Sequence, residues 1–178
     1  MFNERLQHWL YRSCEARVPI GGIGALAFLD FGGCDECVHK VLHSMKSVLI
    51  TGGSGSFGNA FASRLLRHSR LDRIVILSRG ELAQDRMAKE LAPHDPQGRL
   101  RFFIGDVRDR DRLRRAFEGV EVVVHAAALK RIEVGFYDPI EMVRTNVDGA
   151  INVIEAAQDA KVQKVVANPD RFASNPFP

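Results

Sequence analysis

Cysteine, charge of one sign and long apolar runs are all scarce in this sequence, and each shortage closes a route. Three cysteines in 178 residues, an odd number with Cys34 and Cys37 close together, make no disulfide framework, so a reducing compartment is expected. The net charge is only +3. The arginines of "DVRDRDRLRR" alternate with acids instead of forming a stripe, which argues against a nucleic-acid partner. No run approaches the roughly 18 apolar residues of a membrane-spanning helix, and the nearest, Val18 to Leu29, is short and interrupted by glycines. Arg5, Arg12 and Arg17 ahead of that run, with "FGGC" ending at Cys34, imitate an export signal. A cofactor loop of cytosolic type lies downstream, so a cytoplasmic protein without a membrane partner is expected.

What is present is ordinary for a soluble protein, 46% hydrophobic and 26% charged, with length for one domain and hardly for two. Periodicity divides the chain near Met45. Residues 1–44 show no regular order and are expected to be a poorly structured or non-native extension. They contain a G-x-G-x-x-A lookalike, Gly22-Ile23-Gly24-Ala25-Leu26-Ala27, but Pro19 interrupts the only strand-like residues before it. Cys34-x-x-Cys37 with His39 and His43 offers zinc-type atoms on too short a loop, so no metal site is expected.

From residue 45 to 178, short apolar runs alternate with amphipathic segments of helix length. The expected strands are Val48–Thr51, Arg73–Ser78, Leu100–Gly105, Val120–His125 and Lys164–Ala167. The expected helices are Ser56–His68, Leu82–Leu91, Arg110–Phe117 and Pro139–Ala160. Asp138 and Pro139 provide a start signal for the last one. Ile140, Val143, Val147, Ile151 and Ile154 recur along it at three and four residues, which predicts one buried face. Regular β-α alternation with apolar strands predicts an α/β fold, a doubly wound parallel sheet of the dinucleotide-binding Rossmann type.

The stretch "VLITGGSGSFGNAF" carries the clearest chemistry. Gly52, Gly55 and Gly58 follow a strand and open a helix. Gly52 suits the sharp turn, Gly55 the approach of a pyrophosphate, and Gly58 the close packing of helix on strand. The N–H groups of Ser56, Phe57 and Gly58 would face the phosphates at the positive end of the helix. The second strand ends in Ser78-Arg79 where a carboxylate would select NAD. Arg79 can pair with a 2′-phosphate, so NADP is favoured over NAD; a solvated arginine with Glu81 close by is the alternative. Asp106 and Val107 after the third strand would sit beside the adenine, and Asp106 would equally serve as a helix cap. Ala126, Ala127 and Ala128 are small enough to lie against a cofactor, as plain packing also requires. Lys130 follows the fourth strand's carboxyl end and faces either a sugar pocket or solvent.

"ITGGSGSFG", "SRGELAQDRMAKEL", "RFFIGDVRDRDRL" and "HAAALKRIEVGFYDPIEMVRTNVDGAINVIEAA" together resemble the extended short-chain dehydrogenase/reductases. Within them the likeness is to the UDP-N-acetylglucosamine 4,6-dehydratases (inverting) and related polysaccharide biosynthesis proteins, over about residues 46–166. The resemblance implies a cofactor that removes hydride from C4 of a UDP-sugar and returns it at C6 after loss of water. It also implies a Tyr-x-x-x-Lys pair, a Thr-Asp-Lys run after the fifth strand, and a C-terminal domain that holds the UDP. It gives Asn146 a role supporting the active-site backbone; a helix-surface asparagine is the alternative.

The sequence departs from that pattern at its end. "VVANPDRFASNPFP" puts Asp170, Arg171 and Phe172, or Pro169, Asp170 and Arg171, where the Thr-Asp-Lys run belongs. Neither Tyr11 nor Tyr137 has a lysine four residues on. The expected function is therefore the NADP-binding portion of a nucleotide-sugar dehydratase, C-terminally incomplete and inactive as this single chain. A UDP-sugar would bind only if a missing domain is supplied. A non-catalytic NADP-binding module or a gene remnant is the alternative, and a homo-oligomer is left open.

Overall fold

In the computed structural model, residues 45–167 are described, with Ile132 and Val134 as backbone alone, together with the backbone of two short strands, β1 (Val18–Ile20) and β2 (Ile23–Phe28). The apolar runs become β3 (Ser47–Thr51), β4 (Arg73–Ser78), β5 (Leu100–Ile104), β6 (Val122–His125) and β7 (Lys164–Ala167). Between them lie helices α1 (Ser56–His68), α2 (Glu81–Leu91), α3 (Arg110–Phe117), α4 (Ile132–Tyr137), α5 (Pro139–Val143) and α6 (Gly149–Asp159). The sheet has seven strands in the order β1-β2-β7-β6-β3-β4-β5. Its main body, β7-β6-β3-β4-β5, is parallel throughout, as expected for a doubly wound sheet.

Successive strand residues point to opposite faces, and helices cover both. On one face Val48, Ile50, Ile74 and Ile76 pack with Phe61, Leu65 and Leu66 of α1 and Met87 and Leu91 of α2. On the other, Leu49, Val75, Leu77 and Val123 pack with Leu113 and Phe117 of α3 and Val153, Ala156 and Ala157 of α6. Two-sided burial is why these strands read as continuous apolar runs rather than alternating ones.

Three expectations need correction. The sequence gives no element within residues 1–44, yet β1 and β2 stand there. β2 adds in parallel to the free side of β7, pairing Ala25 with Lys164 through to Phe28 with Ala167. Pro19 is accommodated because β1 is the outermost strand, where a missing N–H breaks no ladder. The lookalike residues from Ile23 to Ala27 therefore lie along a strand and not on a strand-to-helix turn. Cys34, Cys37, His39 and His43 lie outside the described residues.

The helix expected over 139–160 is not one regular helix. Asp138 does cap α5, its carboxylate accepting from the Glu141 N–H at 3.2 Å, but a π turn over Arg144–Asp148 separates α5 from α6. The apolar stripe predicted to be buried is largely exposed: Ile140 60%, Val143 50%, Val147 51% and Ile151 49%. The buried residues of α6 are instead Gly149, which lies against Val107, and Val153, Ala156 and Ala157, which join the core. Gly149 lets α6 approach Val107, where a Cβ would lie 2.7 Å from the valine Cγ2, and the larger side chains are left outside. Ile154 alone of the predicted stripe packs against the core.

The third correction is local. Strand β6 begins at Val122 rather than Val120, because Val120 is engaged in the turn after α3, where its N–H donates to the Phe117 carbonyl.

Candidate cofactor site

A cavity of about 380 Å³ opens at the carboxyl ends of β3, β4, β5 and β6. It lies where β3 sends the chain toward β4 on one side and has β6 on the other, the crevice in which open α/β sheets bind ligands.

The glycine loop forms its floor. Gly52 has φ +67°, and a Cβ there would lie 2.7 Å from the Ala127 Cα, so only glycine lets the loop pass under the chain leaving β6. Gly58 is packed tighter still, with a hypothetical Cβ 2.3 Å from the Gly53 carbonyl oxygen. Gly58 is buried and does not line the cavity; it lets α1 start directly on the loop. Gly55, Ser56 and Phe57 do line it. Gly55 is the N-cap and brings no side-chain hydrogen bond to the first turn of α1, so the positive helix end faces the cavity without a built-in acceptor.

Beneath the loop, Thr51 joins β3 to β6. Its hydroxyl oxygen accepts from the N–H groups of Ala126 (3.2 Å) and Ala127 (3.3 Å) and lies 2.6 Å from His125 Nδ1. Because the oxygen accepts twice, the hydroxyl proton is directed to Nδ1. This pair, fully buried, sets the path of Ala126, Ala127 and Ala128 along the cavity wall.

On the β4–β5 side, Ser78 and Arg79 line the cavity with Asp106 and Val107. Gln84 Nε2 fixes the end of β4, donating to the Ser78 carbonyl (3.1 Å), the Ser78 hydroxyl (2.9 Å) and the Phe103 carbonyl (3.1 Å). Asp106 does not cap α3: Asp109 does, accepting from the Arg112 N–H at 2.9 Å. Asp106 instead binds Arg108, accepting from Nη2 at 2.6 Å, Nε at 3.0 Å and the backbone N–H at 3.0 Å. Arg79 stands farther off, 3.8 Å from the same carboxylate, with its side chain half exposed. Partial burial pushes the Asp106 carboxyl up, but hydrogen bonds and charge from Arg108, with the charge of Arg79, hold it below the ordinary carboxylate range. Arg108 thus answers the charge of Asp106, and Arg79 keeps positive charge to offer a ligand.

On the β6 side, Lys130 is exposed at the cavity edge. Asn146 is not a surface residue of a regular helix. It sits in the π turn and clamps the backbone of Leu129, its Oδ1 accepting from the N–H at 2.8 Å and its Nδ2 donating to the carbonyl at 3.0 Å. Asn146 therefore positions the loop that carries Ala128 and Lys130 without lining the cavity itself.

Apart from Gly58 and Asn146, the residues singled out in the sequence converge on this cavity. Sequence reasoning missed Thr51, His125 and Gln84, which hold the walls from behind, and Thr145, which lines the cavity. Thr51 follows the apolar run of β3 directly, a signal that was available; the others have no mark in spacing. The positions compared with a Thr-Asp-Lys run, residues 169–172, lie outside the described residues. Among the described residues there is no cluster of metal-ligating side chains and no helix long and apolar enough to cross a membrane.

Known proteins agree with this geometry. The family model described as a polysaccharide biosynthesis protein matches residues 48–176. A UDP-N-acetylglucosamine 4,6-dehydratase (inverting) from Campylobacter jejuni is 43% identical over 136 residues, covering 76% of this chain and 39% of that protein. Among solved structures, Pen from Bacillus thuringiensis aligns with a TM-score of 0.64 at 38% identity, over 68% of this chain and 36% of its own. DesIV, a dTDP-glucose 4,6-dehydratase from Streptomyces venezuelae with NAD bound, aligns with a TM-score of 0.59 at 34% identity, over 67% of this chain and 38% of its own. The chain thus spans about two fifths of the length of the curated relatives it matches. The matched stretch takes in the glycine loop, both cavity walls and the strands that carry them, and the chain belongs to the polysaccharide biosynthesis protein family.

Proposed function

We propose that residues 45–167 hold a nicotinamide dinucleotide, NADP in preference to NAD, as the cofactor-binding portion of a cytoplasmic nucleotide-sugar-transforming protein of polysaccharide biosynthesis. The observation that carries this reading is the meeting, on one cavity, of a loop too crowded for side chains at Gly52 and Gly58 with an arginine only loosely paired at Arg79. The loop and the first turn of α1 suit a pyrophosphate. Arg79 suits a 2′-phosphate. Ala126, Ala127 and Ala128 give a wall of small residues against which a flat ring can lie.

A bound nicotinamide supplies a hydride acceptor and donor for a sugar carbon. The proton chemistry must come from protein groups, and here the 178 residues fall short, with no Tyr-x-x-x-Lys pair to take a sugar hydroxyl proton. We therefore expect cofactor binding without turnover from these residues alone, and UDP-sugar binding only when a substrate domain is supplied. Incubation with NADP and UDP-N-acetylglucosamine, read by mass spectrometry, should give no 4-keto-6-deoxy sugar. Clear product from this chain alone would refute the reading.

A further inference from the structure

The sheet is closed on one side by a strand out of chain order. The common doubly wound order sets a sixth parallel strand beyond the fifth. Here β5, β4, β3, β6 and β7 fill five places, and the sixth is taken by β2, which precedes the glycine loop in the chain. β2 pairs in parallel with all four residues of β7, from Ala25 with Lys164 to Phe28 with Ala167. The strand that closes this edge thus comes from ahead of the β-α alternation that builds the other five.

An uncovered β7 would be a hazardous edge. Val165, Val166 and Ala167 are apolar and buried, and an open row of N–H and C=O groups along them is a template for pairing with another chain. Strands β2 and β1 answer this in two steps. β2 takes up the free row of β7 with six residues, Ile23–Phe28, that carry no charge. β1 then pairs antiparallel with β2 and places Pro19 on the outermost strand, where a missing N–H blunts the edge. Only Gly21 and Gly22 separate β1 from β2 in the sequence, and the pair joins the rest of the sheet through the β2–β7 ladder.

We infer that the outer edge of β7 is a strand-docking surface, fitted to a parallel strand without charge, and that residues 18–28 are a detachable plug for it. The plug keeps this edge from pairing with a second copy of the chain. When it leaves, the five parallel strands keep their own ladders, so the domain survives with one sticky edge. No dinucleotide need be bound for any of this.

The test compares the intact chain with its Ala25→Pro/Leu26→Pro variant by amide hydrogen exchange and sedimentation. Neighbouring residues of a strand direct their N–H groups to opposite sides, so one of the two prolines removes a bond to β7. In the parent, amides of residues 23–28 and 164–167 should be protected together. In the variant, exchange should rise by about tenfold or more at the β7 amides facing β2 and stay at the parent level in β4. The variant should also sediment as a larger species, and an excess of a peptide of residues 18–28 should reverse both changes. Parent-like exchange at β7, sedimentation like the parent, or no reversal by the peptide would overturn the inference. So would residues 23–28 of the parent exchanging like an unstructured chain. Loss of protection in β4 as well would make the hairpin an integral part of the fold instead of a plug, and would equally overturn it.

Discussion

The two ends of the cradle are built differently. On the β4–β5 side the polar groups are largely matched within the protein: Gln84 holds Ser78, Arg108 holds Asp106, and Arg79 alone is weakly engaged. On the β6 side Thr145 is buried without a hydrogen-bond partner among the described residues, Lys130 is exposed at the edge, and the stretch from α5 through the π turn to α6 displays Ile140, Val143, Val147 and Ile151. The first end is preorganised for a charged group, because its geometry exists before any ligand arrives. The second end is held in place from behind by Asn146 and Thr51. On the dinucleotide reading proposed above, recognition of the adenosine side and of the nicotinamide side are separate tasks, and substitutions should split them.

The largest effect is expected where both ends depend on one position. Gly58→Val drives a side chain into the Gly53 backbone, and should lower stability by about 1–3 kcal/mol and weaken every dinucleotide by on the order of 100-fold. Urea unfolding with calorimetric titration reads both effects. A variant that binds like the parent would show that the loop is not the floor of the site.

Next comes the charged end. Arg79→Ala should weaken NADP by about tenfold or more, as for a lost charge-assisted hydrogen bond, and leave NAD unchanged. Equal losses for both ligands would contradict selection through the 2′-phosphate. At the open end, Asn146→Ala removes two hydrogen bonds to Leu129 and should cost about 1–3 kcal/mol in unfolding free energy. Hydrogen exchange should accelerate at Leu129 and leave Ser78 untouched; loss of protection at both would erase the distinction between the ends.

The smallest effect is on pH dependence. The Asp106 carboxyl is held below its ordinary value of 3.8. Its contribution to stability is therefore complete above that value and is lost as pH falls through the lower, folded-state value. The melting-temperature difference between the parent and Asp106→Asn should accordingly shrink from about pH 5 to about pH 3. A difference that grows on acidification would reverse the sign assigned to Asp106.

Much of this was legible in the sequence because the signals are local. Helices α1 and α3 and strands β4 and β7 fall within their expected bounds, each an apolar or amphipathic run ended by turn residues. The glycine loop was legible because the spacing of Gly52, Gly55 and Gly58 is itself the geometry. What was not legible depends on distant partners. Strand β2 joins the parallel strands by pairing with β7, from the opposite end of the described chain. The stripe from Ile140 to Ile151 satisfied helical periodicity, but periodicity does not say which face meets the sheet. The face that is buried carries Gly149, Val153, Ala156 and Ala157. Thr145 is an unremarkable letter before Asn146, and only the π turn brings it to the cavity.

Calorimetric titration of the intact 178-residue chain with NADP and, separately, with NAD tests the central claim most directly. The account predicts saturable one-site binding of NADP, weaker binding of NAD, and a melting temperature that rises with NADP concentration. Absence of binding heat and of any thermal shift with both dinucleotides would contradict it.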